Sequence, residues 1–140
     1  MGSNTKLDML REIPLFSRLG KSDLELLARL ADEIDVPESR VLMRQGESGS
    51  EMFVVAAGRV RVERDGEQIA ALGPGDWLGE MALISEGPRT ATAVTTEPSR
   101  LFVVSHREFH SLMDQIPSVR VAVDECVAER IRRLESASPH

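Results

Sequence analysis

Apolar residues recur along this chain with two different periods, and the changes of period divide it into three stretches. From Ser22 to Ile34, the residues Leu24, Leu27, Ala28, Ala31 and Ile34 fall mostly three or four apart, the spacing of one helix face. Ser22 with Glu25 three residues later has the form of a capping box. A helix is therefore expected over about 22–34, with Pro37 ending any continuation. Ahead of it, Leu7 to Leu19 reads as a helical lead-in broken near Pro14, with Phe16 as its anchor to the core. From Val41 to Val104 the period falls to two: Val60 and Val62 alternate with Arg59, Arg61 and Glu63, valines inward and charges outward. Asp65-Gly66 is a favoured hairpin dipeptide, and Gln68 to Leu72 reads as the returning strand. Leu101 to Val104 closes the β region.

Helical spacing then returns. Ser105 and Glu108 form a second capping box, and Phe109, Leu112, Met113 and Ile116 make a stripe at i, i+3, i+4 and i+7. Pro117 suits the first turn of a last helix, in which Val119, Val123, Val127, Ile131 and Leu134 share a slowly drifting face. The expected fold is α+β: a jelly-roll-like β-barrel over 41–104, an N-terminal helical segment over 7–34 and two C-terminal helices over 105–135. All of it falls within one domain spanning 1–140.

Charge narrows the partners. Twenty-three acidic side chains against 17 basic ones leave a net charge of −6, which argues against a nucleic-acid-binding surface. A small anion is still admissible, because one local arginine outweighs a diffuse field that salt screens. No apolar run reaches the roughly 18 residues of a membrane span, so no membrane partner is expected. The single cysteine, Cys126, excludes an internal disulfide, fits a reducing cytoplasm, and reads as a buried or half-buried helix residue. His106 and His110 stand four apart on a helix. The glutamate is misplaced for His-Glu-x-x-His and no third ligand is evident, so they read as a wet helix face and no metal is expected. A cupin-like enzyme on a related barrel would draw histidines from strands, and all three histidines lie outside the β region. No catalytic residue and no cofactor is assigned.

The chemistry gathers between Gly79 and Ala91. The paired glycines and proline of Gly73 to Trp77 demand a tight turn, and Glu80-Met81-Ala82-Leu83 is a helix-forming run about one turn long. Gly87-Pro88 closes it before a β-rich run from Thr90 to Thr95. A helix start presents unpaired N–H groups, Gly79 lets backbone approach a ligand, and Arg89 supplies a planar fork suited to phosphate. Glu80 would repel a phosphate, so it needs another partner, and a sugar hydroxyl is the obvious one.

At these residues the chain resembles the cyclic nucleotide-binding domain family, whose phosphate-binding cassette is matched without a gap from Gly79 to Ala91. Val41 to Gly49 and Met52 to Val60 resemble the early strands of that family's barrel. The resemblance implies that Glu80 holds the ribose 2′-OH and Arg89 the cyclic phosphate. Gly79, Ala82 and Ala91 would lend backbone contacts, and Thr90 would sit beside the phosphate and the purine edge. Met81, Val62 and Leu72 are candidates for touching the purine. Arg130, Arg132 and Arg133 are candidates for stacking on it from the last helix.

The implied function is a non-enzymatic sensor of a cyclic nucleotide, cAMP before cGMP, whose C-terminal helices move on binding. Catabolite activators carry a helix-turn-helix domain after their long helix, and the sequence reaches His140 soon after that helix. The expectation is thus a stand-alone sensor or the ligand-binding fragment of a larger transcription factor, channel or enzyme. A homodimer or a protein effector engaged through the C-terminal helix is the expected macromolecular partner.

Overall fold

Two kinds of strand in this sequence foreshadow two kinds of layer. Met52 to Val55 and Leu101 to Val104 are unbroken apolar runs, whereas Val60 to Arg64 alternates. A strand covered on both faces needs the first pattern, and a strand wet on one face the second. The protein's structure, a computed structural model, describes residues 5–84 and 87–137, apart from the side chains of Thr5, Arg130 and 133–137.

The chain begins with α1 (Thr5–Arg11), a 3-10 turn (Pro14–Phe16) and α2 (Lys21–Leu30). Ten strands follow: β1 (Asp32–Val36), β2 (Val41–Met43), β3 (Ser48–Gly49), β4 (Glu51–Ala57), β5 (Val60–Arg64), β6 (Glu67–Leu72), β7 (Trp77–Leu78), β8 (Gly87–Pro88), β9 (Thr92–Thr95) and β10 (Ser99–Ser105). A second 3-10 turn, Glu80–Leu83, interrupts them, and α3 (His106–Gln115) and α4 (Pro117–Ala137) close the fold. One sheet has the order β1-β10-β4-β7, the other β2-β9-β5-β6, and β3 pairs with β8 as a two-stranded ribbon. Every pairing is antiparallel. The barrel expected from the sequence is thus an unclosed roll with helices at both ends of the chain.

Alternation along β4 and β10 splits the core in two. Met52, Val54, Phe102 and Val104 face the helices, where they join Phe16, Leu24, Leu27, Phe109 and Val119. Phe53, Val55, Leu101 and Val103 face the opposite sheet, joining Val60 and Ala93. The 3-10 turn at Pro14 buries Phe16, whose ring lies 5.6 Å from that of Phe109. Asp65 and Gly66, both at positive φ, make the expected hairpin turn between β5 and β6. The Ser105 cap also holds, accepting from Glu108 N, and α4 starts at Pro117.

The N-terminal segment departs from expectation. Helix α2 stops at Leu30, and the residues read as its last turn form β1. Ile34 fits the helical spacing of its neighbours, yet it pairs with Leu101 and is 37% exposed. Pairing with β10 outweighs the local signal, helped by Arg100 Nε, which lies 2.9 Å from Asp35 and 3.5 Å from Glu33. The β region therefore starts at 32 instead of 41. Ser22 is not a cap either: the helix begins one residue earlier, after Gly20, with no side-chain cap bond. On α4, Val119 and Val123 are buried and Val127 packs against the core, whereas Ile131 is exposed. The side chain of Leu134 lies outside the described residues.

Replacing the Phe109 ring, fully buried against Phe16, with alanine should cost about 3–5 kcal/mol of stability. Urea denaturation followed by circular dichroism measures it, and a wild-type midpoint would contradict this packing.

Candidate ligand-binding site

The site is assembled by three backbone devices. Gly79 adopts φ 80°, ψ 16°, a left-handed conformation that turns the chain out of β7 into the 3-10 turn. In that turn Ala82 N donates to Gly79 O at 3.0 Å, and Ile84 N to Met81 O at 3.1 Å. The turn is the one-turn helix expected from Glu80 to Leu83, and it rests on β4 and α3. Gly87-Pro88, expected to end it, forms β8 and pairs with Ser48-Gly49. Arg89 N then donates to Glu47 O, and Gly46 N to Arg89 O, both at 2.8 Å. The backbone of Arg89 is thereby held from both sides and its side chain enters the fold.

Inside, the guanidinium occupies a slot that two glycines leave open. A Cβ on Gly49 would fall 1.8 Å from Arg89 Nε, and one on Gly79 would fall 2.6 Å from Nη1 and 2.9 Å from Glu51 O. Arg89 Nη2 donates to that Glu51 carbonyl at 2.7 Å. The residue is 9% exposed, and its buried Nε has no hydrogen-bond partner among the described residues. Burial pushes the Arg89 pKa below its ordinary value, and the nearby Glu51 charge opposes that shift. A buried cation with donors to spare has the chemistry to accept an anion.

Beside it opens a cleft of about 310 Å3. Gly79, Glu80, Met81, Ala82, Arg89 and Thr90, all expected from the sequence, line it together. Met43, Trp77, Leu78, Gly87 and Pro88 complete the lining. Glu80 is half-buried, Met81 is 47% exposed at the rim, and the Thr90 carbonyl accepts from Arg64 Nε at 3.1 Å. Ala91 is buried and does not line the cleft. Val62 and Leu72 are not brought to it: Val62 is buried on β5 opposite Ala70 and Ala93, and Leu72 packs into the core between the sheets. Ser85 and Glu86 of the cassette, and the side chains of Arg130 and Arg133, lie outside the described residues. Arg132 pairs with Glu129 at 2.9 Å on the exposed face of α4. A larger groove, about 770 Å3 between α2 and α3, contains none of the cassette residues.

Three features escaped the sequence reading. Gly49 belongs to the site although it stands forty residues from Arg89, and nothing local marks the pair. Trp77, read only as part of a turn, lines the cleft. His106, read as wet, is half-buried and hydrogen-bonded through its ring.

The chain belongs to the cyclic nucleotide-binding domain family: residues 33–116 match the family model described as Cyclic nucleotide-binding domain. It is similar to the cyclic AMP receptor protein of Thermus thermophilus, 31% identical over an alignment of 127 residues that covers 87% of this chain and 59% of that one. Among solved structures it is similar to the N-terminal domain of a transcriptional regulator from Streptomyces coelicolor A3(2), with a TM-score of 0.87, 30% identity and coverage of 94% of this chain and 95% of that one. It is also similar to the regulatory domain of Toxoplasma gondii PKA, co-crystallised with cAMP, with a TM-score of 0.71, 28% identity and coverage of 78% and 43%. The chain thus spans about three-fifths of the receptor protein it matches.

The slot makes a prediction independent of any ligand. Gly49→Ala should destabilise the protein by about 1–3 kcal/mol, as overpacking does. In an Arg89→Ala background the same substitution should cost less, with a coupling of about 0.5–3 kcal/mol in a double-mutant cycle. Equal costs in the two backgrounds would mean that Gly49 does not make room for the guanidinium.

Proposed function

We propose that the cleft binds a cyclic nucleotide, cAMP in the first instance, and that the domain works as a sensor with no catalytic step of its own. The observation that carries this reading is the buried Arg89 guanidinium at the wall of the cleft, whose Nε has no partner among the described residues. Similarity to a cyclic AMP receptor protein and to a regulatory domain solved with cAMP supports the choice of ligand. In this reading the cyclic phosphate bonds Arg89 and the backbone of the 3-10 turn, Glu80 accepts from the ribose 2′-OH, and the base lies toward Met43, Trp77 and Met81. Thr90, exposed at the edge of the cleft, is the position from which a guanine amino group would be recognised.

Output runs through the C-terminal helices, because the 3-10 turn packs directly on α3 and α3 on α4. Coupling of this type amounts to about 1–3 kcal/mol between ligand and output. Val121 and Ile131 on α4 are 55% and 49% exposed, which supports a second copy or an effector protein on this helix. The lone cysteine supports a cytoplasmic setting. Among the described residues no helix is long and apolar enough to cross a membrane.

Calorimetric titration with cAMP and cGMP tests the assignment. Arg89→Ala should lose about 2–5 kcal/mol of binding, a weakening of roughly 30- to 4,000-fold. Equal affinity of variant and wild type would contradict the placement of the phosphate, and tighter binding of cGMP would reassign the base. Trp77 is the single tryptophan and lines the cleft, so saturating ligand should change its emission. An unchanged spectrum at proven saturation would place the base elsewhere.

A further inference from the structure

We propose that His106 is the positioning residue through which the ligand cleft acts on α3 and α4, an inference that rests on the cyclic-nucleotide reading above. It is the first residue of α3, directly after the Ser105 cap, and it ties the start of that helix to two segments that close around Arg89. Its backbone N–H donates to Ser50 O at 2.7 Å. Its ring Nδ1 lies 2.8 Å from Ala82 O in the 3-10 turn. A carbonyl oxygen only accepts, so Nδ1 carries the proton and donates. The ring is braced from behind by His110, stacked at 4.1 Å between centroids, and His110 in turn meets the Phe109 ring edge-on at 6.4 Å. A side chain bonded in front and stacked behind has little freedom to absorb a displacement.

Both ends of this tie lead to the ligand seat. Ser50 stands between Gly49, which makes room for the guanidinium, and Glu51, whose carbonyl accepts from Arg89 Nη2 at 2.7 Å. Ala82 belongs to the turn that Gly79 opens and that lines the cleft. An anion that draws on Arg89 competes with the Glu51 carbonyl on one side and engages the 3-10 turn on the other. Any relative shift of the two segments arrives at one residue, His106, and is delivered to the first turn of α3. Side-chain packing between turn and helix can slide; a hydrogen bond with fixed ends, such as that of His106 to Ala82 O, holds its geometry. His106 itself does not line the cleft, so its role is transmission and not recognition.

Hydrogen–deuterium exchange of the full chain, with and without cAMP, separates transmission from recognition. Wild type should show slowed exchange over 80–84 and an altered rate over 106–137. His106→Phe keeps a stacked ring and removes the donor. It should bind cAMP within about tenfold of wild type by calorimetry and keep the response over 80–84, yet lose most of the response over 106–137. His106→Gln restores a donor and should restore the response. If Phe at this position unfolds the chain, His106→Leu carries the same comparison. A full helix response in the donorless variant, or a Gln variant that behaves like it, overturns the proposal. So does wild-type binding with unchanged exchange over 106–137, which leaves the sensor's ligand intact. Wild-type protein that does not bind either nucleotide overturns the functional reading, and the inference with it.

Discussion

A buried cation with more donors than partners among the described residues is the constraint on which the rest of this molecule depends. Arg89 is 9% exposed, its Nη2 donates to the Glu51 carbonyl, and its buried Nε has no partner among the described residues. Taking a charge out of water is costly, and here burial lowers the affinity of the guanidinium for its proton while the nearby Glu51 charge opposes that shift. The fold tolerates the penalty because much of the local backbone is arranged around the side chain. Glycine stands at 49 and 79 where any Cβ would overlap it, and residues 46 and 47 bond its main chain. In the proposed reading, a cyclic phosphate would supply the acceptor that the buried Nε lacks among the described residues, and the surrounding backbone would preorganise its seat.

The sheet order puts that seat where it can be felt. β4 lies at the middle of its sheet, between β10 and β7, and is apolar on both faces. One face supports the interior of the roll and the other carries the 3-10 turn and the helices. The residues just before and at the start of β4 touch everything that matters: Gly49 and Glu51 meet Arg89, and Ser50 meets the start of α3. In the proposed reading, a central strand with the ligand seat and a helix start at one end would be a short path from binding to movement.

How much of this was legible depends on how far apart the cooperating residues lie. The cassette from Gly79 to Ala91 is contiguous, so its glycine, glutamate and arginine announce themselves together, and six of the expected residues line one cleft. The hairpin at Asp65-Gly66 and the cap at Ser105 were legible for the same reason, since each is decided within four residues. The strand Asp32–Val36 was not, because Ile34 satisfies a helical period locally and only its partner in β10 decides the outcome. Gly49 and His106 were hidden by distance as well. A glycine that serves a guanidinium forty residues away, and a histidine whose partner is a backbone carbonyl twenty-four residues earlier, leave no mark in any local pattern. Two histidines four apart evoke a metal or a wet face; a stacked pair holding a carbonyl needs the fold to be seen.

The most direct measurement is the proton–nitrogen correlation of the arginine Nε–H groups by nuclear magnetic resonance, with the Arg89 signal assigned by its loss in Arg89→Lys. On titration with cAMP that single resonance should move far more than those of the other arginines and reach a new, saturable position, as a buried donor acquires an anionic acceptor. A resonance that stays in place while the nucleotide is bound elsewhere on the protein would contradict the claim that this cation is the ligand's seat.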